Sequence, residues 1–183
     1  MSNFIINPSS FATPVSYCYT TNVSETNNGF GYDDEGNYRR FGGGQRILAG
    51  SSTVGQTLTT ASFYLRKVSG KSPTGTLTCA VLPSNGTGGT ASGIVIGTYN
   101  LASIPTSYGK INFTGTNTRV IAANDCIMLY MPENTWDAYE VEIQSDAEGT
   151  QANEDMCFLE WLNGSERVYF YTDHDADWCF NKP

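Results

Sequence analysis

Charge is scarce in this chain, and histidine almost absent: Asp, Glu, Lys and Arg make up 15% of 183 residues, and His174 is the single imidazole. The five cysteines, Cys18, Cys79, Cys126, Cys157 and Cys179, are widely spaced with no C-x-x-C pair, which disfavours zinc. No stretch approaches the roughly 18 consecutive apolar residues of a membrane-spanning helix. A Gly-x-x-x-x-Gly-Lys phosphate loop, a dinucleotide fingerprint and a Gly-x-Ser-x-Gly nucleophile elbow are all missing. Positive charge is short as well, with ten Lys plus Arg against eighteen Asp plus Glu and a net charge of −8. A chain of that sign is repelled by nucleic acid and by anionic headgroups, so neither is an expected partner. The start, Met1 to Pro8, shows neither a basic region nor the apolar core of a secretory leader. That suggests cytosolic synthesis, unless a leader has been removed, and for an exposed β-protein it suggests release by lysis as part of a virion.

What the chain has in quantity is turn residues: Gly, Ser, Thr and Asn fill 71 of 183 positions, beside 13% aromatics. This mixture is poor in helix formers. Apolar residues recur with period two, as in Ala61, Phe63 and Leu65 or Ile127, Leu129 and Met131, the signature of half-buried strands. Further strands are expected near 15–20, 38–48, 75–82, 93–99, 109–114, 138–144, 156–162, 167–172 and 177–181. Clusters such as Ser69-Gly-Lys-Ser-Pro-Thr-Gly75 and Ser84-Asn-Gly-Thr-Gly-Gly89 are read as the turns between them. Ten or so short strands in a chain long enough for one core predict an all-β, two-sheet antiparallel sandwich forming a single domain over 1–183. A helical turn is expected only over Ala147 to Glu154.

The alternation names a core: Phe63, Leu65, Leu77, Cys79, Val81, Ile111, Phe113, Ile127, Leu129, Val141, Ile143, Phe158 and Phe170. Cys79, Cys126 and Cys157 fall in apolar strands and read as free thiols. Cys18 and Cys179 lie near opposite ends of the chain, which often meet in a single domain, and a disulfide between them stays open.

The acidic residues are unevenly placed. Residues 1–91 carry net +2 and residues 92–183 net −10, and between Arg119 and Arg167 there is no Lys or Arg. A solvated acidic face is the default reading, with cation binding as the sharper one. Asp173, Asp175 and Asp177 alternate around His174 in a way that suits calcium, although the segment lacks the glycine and final glutamate of an EF-hand. Asp33-Asp-Glu35 reads as an acidic turn. No spacing singles out a carboxylate pair for glycoside hydrolysis, and no enzymatic constellation is expected. Trp136, in a loop-like segment, with Asn134, Asp137 and Tyr139 beside it, has the makings of a sugar platform: a ring face for pyranose C–H groups and polar neighbours for hydroxyls. Trp161, on a strand, is expected to be packed.

Thr53 to Val68, followed by Ser72-Pro-Thr-Gly-Thr-Leu-Thr-Cys-Ala-Val-Leu82, resembles a jelly-roll module of phage, archaeal and environmental surface proteins, itself similar in fold to carbohydrate-binding modules. The likeness covers about 30 residues; Gly109 to Phe113 and Asp125 to Tyr130 fall where that family places its next inward strands. Residues 1–50, with Gly42-Gly-Gly44, match less well and suit anchoring or assembly. The resemblance implies a jelly roll and a non-enzymatic role on a virion or cell surface, as a capsid decoration, spike or fibre component. Its partners would be its own copies or a scaffold protein. The alternatives are a lectin-like glycan binder, centred on Trp136, and an extracellular filament subunit.

Overall fold

The computed structural model describes residues 16–19, 28–34, 38–131, 140–146, 154–162, 165–171, 175–176 and 178–181. Fifteen strands carry the described chain: β1 (Ser16–Tyr19), β2 (Gly29–Phe30), β3 (Tyr32–Asp34), β4 (Tyr38–Ile47), β5 (Thr57–Lys67), β6 (Thr76–Leu82), β7 (Ile94–Asn100) and β8 (Gly109–Val120), then β9 (Cys126–Tyr130), β10 (Val141–Ile143), β11 (Ser145–Asp146), β12 (Glu154–Leu162), β13 (Ser165–Tyr171), β14 (Asp175–Ala176) and β15 (Trp178–Asn181). Most lie where period-two alternation places them. β2, β11 and β14 are too short to alternate visibly. Asp33 and Asp34 lie in strand β3 opposite Arg39 and Tyr38, not in the expected acidic turn.

The strands form two main antiparallel sheets. In the six-stranded sheet, β5 pairs with β8 along one edge; β15 and β10 divide its other edge end to end, with β1 beyond β15 and β2 beyond β10. The seven-stranded sheet runs β13-β12-β4-β9-β6-β7, with β3 beside the start of β4. β11 and β14 make a separate ladder, tied to β4 where Gln45 Oε1 accepts from the Ala176 N–H at 2.7 Å. At one side the two sheets meet where β7 crosses β8. Side chains at Gly97 and Gly115 would collide with the Thr114 nitrogen and the Ile96 oxygen, so bare backbone is what permits the approach. Asn117 Nδ2 donates to the Val95 carbonyl at 2.9 Å across that corner.

The main core lies between the sheets. Phe63, Leu65, Leu77, Cys79, Val81, Ile111, Phe113, Ile127, Leu129, Val141, Ile143 and Phe158 all belong to it, as the alternation predicts. Each large side chain so buried contributes about 1.5–3 kcal/mol. Phe170 is the exception. Closure of the β12–β13 hairpin at Leu162 and Ser165 places Tyr169 opposite Phe158 and Phe170 opposite Cys157, so Phe170 lies on the other face. There it joins a second cluster, built on Phe41, Ala80, Leu82, Cys126, Met128, Cys157 and Leu159 and flanked by Tyr130, Trp161 and Val168. Strand β9 is therefore apolar on both sides, with Ile127 and Leu129 in the first cluster and Cys126 and Met128 in the second.

Candidate functional site

The outer face of the seven-stranded sheet carries an open cleft of about 350 Å³ between the β6–β7 connection and β13. Asn85, Thr87, Gly88, Ala91, Glu166 and Val168 are among its lining residues. The connection, Pro83 to Ser92, begins with a proline that cannot extend β6 by donating a ladder bond. It then passes through left-handed backbone at Ser84, Asn85, Gly86, Gly88 and Gly89. The Ser84-Asn-Gly-Thr-Gly-Gly89 composition supplies residues that tolerate this geometry. The Asn85 N–H donates to the Asn124 carbonyl at 2.5 Å, and Thr87 Oγ1 to the Ser84 carbonyl at 2.7 Å.

Two contacts hold this turn against β13. Gly86 lies so near Val168 that a β-carbon there would stand 2.2 Å from Cγ2. Glu166 accepts the Thr90 N–H at 2.6 Å through Oε1, and Thr90 Oγ1 lies 3.3 Å from Oε2. Both carboxylate oxygens are thereby engaged, and among the described residues Glu166 is the only acid lining the cleft. The arrangement offers hydroxyl, amide and backbone groups that can hold a small polar group. Beside it, Tyr130 has its phenol pKa raised by burial and, less, by the nearby Cys79 and Glu166. Trp161 stands opposite Glu166 in the hairpin register and packs on the second cluster, as expected for a strand tryptophan.

Among the described residues the acidic half departs from the expected solvated face at four positions. Asp125, Glu140, Asp155 and Glu160 are buried, and each faces a cation. Glu160 lies between Arg40, 3.2 Å from its Oε1, and Arg167, 3.0 Å from its Oε2. The Arg40 guanidinium also stacks 4.1 Å over the Phe158 ring. Asp155 pairs with Arg46, which lies 4.0 Å over Phe170. Asp125 accepts from Arg119 at 3.3 Å and from the Ala122 N–H at 2.9 Å, and Lys71 lies 3.9 Å from Glu140. On the other sheet, Arg66 pairs with Glu142, and that hydrogen bond is the main reason its pKa is raised. Tyr108 donates to the same carboxylate at 3.3 Å; burial first, then the Glu142 charge, pushes its phenol up to about 12.

Asn134, Trp136, Asp137 and Tyr139 lie outside the described residues, as do Asp173, His174 and Asp177. Asp175 is in β14, its backbone opposite Asp146. Among the described residues no group of three or more His, Cys, Asp or Glu is arranged to hold a metal, and no helix is long and apolar enough to cross a membrane. The cleft itself was half legible: its glycine-rich turn stands out in the sequence, whereas Glu166 carries no local signal, since its partner Thr90 is remote in the chain. Comparison with protein-family models, with curated proteins and with solved structures finds no match.

Proposed function

We propose that this chain is a non-enzymatic structural or interaction module, displayed on a virion or cell surface as a decoration, spike or fibre component and docking to its own copies or a scaffold protein. Jelly-roll wiring of the sandwich is part of this reading. The observation that carries it is the outer face of the seven-stranded sheet. There the apolar cluster lies beneath strand and turn, buried Asp155 neutralises Arg46, and Glu166 holds the turn that forms the open cleft. Such a face is a rigid support for a presented loop. Isolated particles and surface fractions from the source, quantified by mass spectrometry, are expected to contain the chain at a fixed copy number. Absence from every such fraction overturns the proposal.

A second reading, glycan binding, is favoured by the polar cleft beside β13, because hydroxyl and amide groups around a shallow recess match the donors and acceptors of a neutral sugar. Trp136, Tyr139, Asn134 and Asp137 would supply the ring platform, and calcium at Asp173, Asp175 and Asp177 would be an accessory ion. A glycan screen with and without calcium tests this. Specific binding that Trp136→Ala abolishes at unchanged Tm supports it, and silence across the screen leaves assembly as the function.

A further inference from the structure

We propose that Cys18 and Cys179 form a disulfide that fastens β1 to β15, while Cys79, Cys126 and Cys157 remain free thiols. Among the described residues β1 joins its sheet through β15 alone. In that antiparallel register Cys18 stands directly opposite Cys179, with Tyr17 opposite Phe180 and Tyr19 opposite Trp178. Directly opposed residues of an antiparallel pair have Cα atoms about 4.5 or 5.5 Å apart, inside the roughly 4.4–6.8 Å that a disulfide spans. A slip of one residue would set each cysteine against an aromatic residue.

The other thiols are placed differently. Cys126 and Cys157 lie on β9 and β12 with β4 between them, and although their side chains approach within hydrogen-bonding reach, both are free thiols. Cys79 is on β6, opposite Leu129 and Gly97. All three are free and fully buried, and burial raises the thiol pKa of Cys79 and Cys157, keeping them in the unreactive protonated form. The Cys18–Cys179 register row, by contrast, continues across β5 to Ser62 and then to Asn112 of β8. Ser62 donates to Asn112 at 2.8 Å, and Asn112 is exposed. Ser62 and Asn112 thus make that row polar where it crosses β5 and β8, whereas the neighbouring Ala61 and Phe63 belong to the core.

Closure requires an oxidant of the disulfide class. One cysteine thiolate attacks it, forming a mixed disulfide and releasing one thiol. The second thiolate then displaces the remaining oxidant thiol, so that two protons and two electrons leave the chain in all. A bond of this kind persists in an oxidising compartment or after release into one, and it stands or falls independently of the surface role.

The full chain is incubated with oxidised glutathione, unfolded in denaturant with N-ethylmaleimide present, digested and mapped without reduction. The expected result is alkylation at Cys79, Cys126 and Cys157 together with a cross-linked peptide pair joining residues 18 and 179 that separates on reduction. Alkylation at all five cysteines overturns the proposal, as does a cross-link through any of the three buried ones. The mapping requires no variant. In addition, reductant is expected to lower the Tm of the native chain but not that of Cys18→Ser or Cys179→Ser. A native Tm indifferent to reductant overturns the fastening role.

Discussion

At the scale of single residues, the clearest commitments are the buried charges. Glu160 is 2% exposed, a position a carboxylate occupies only because Arg40 and Arg167 approach its two oxygens. Removing one guanidinium leaves a buried charge half compensated. Arg40→Ala is expected to destabilise the chain by about 3 kcal/mol, read as a shift of the urea midpoint, and Glu160→Gln in the Arg40→Ala background should recover part of the loss. Tyr108 gives a pH dependence of definite sign. Its folded pKa of about 12 lies above the ordinary phenol value of 10.0, so between those two pH values the unfolded chain has released a proton that the folded chain keeps. The stabilisation is complete below pH 10 and is lost as pH rises towards 12. Tyr108→Phe should flatten that part of the alkaline unfolding curve, and a curve of unchanged slope would count against this origin. These pairings were not legible in the sequence, because Arg40 and Glu160 are remote in the chain and only strand pairing brings them together.

At the scale of elements, the Gly42-Gly-Gly44 run belongs to β4, which lies inside the seven-stranded sheet with β12 on one side and β9 on the other. A β-carbon at Gly44 would stand 2.0 Å from the Ile127 oxygen and 2.9 Å from the Met128 Cα. Because both are backbone atoms of the adjacent strand, no rotamer change relieves the clash. Gly44→Ala is expected to cost about 1–3 kcal/mol or more, measured by chemical denaturation; a neutral result would mean that β9 can shift. The strands themselves were largely readable, since alternation is a local property of each segment. Their faces were less so at β13: Phe170 alternates as a core residue would, and only the hairpin register shows that it packs with Cys157 on the other side.

At the scale of the whole molecule, two apolar clusters share the seven-stranded sheet, one between the sheets and one on its outer face. Leu129→Ala, in the first, is expected to cost about 2–5 kcal/mol, whereas Tyr169→Ala, at 44% exposure, should stay within about 1 kcal/mol. Thermal or urea denaturation compares the two, and equal losses would contradict the assignment of the core. The sequence by itself determined the all-β class, nearly every long strand and the inter-sheet core with Cys79 in it, because side-chain alternation follows from the extended backbone alone. Tertiary structure decided which strands pair, and with them the second cluster on the outer face, the arginines that neutralise the buried acids, the contact of Glu166 with the glycine-rich turn and the placing of Cys18 opposite Cys179. Each depends on register between segments far apart in the chain, and a period of two reads the same in every register that keeps its parity.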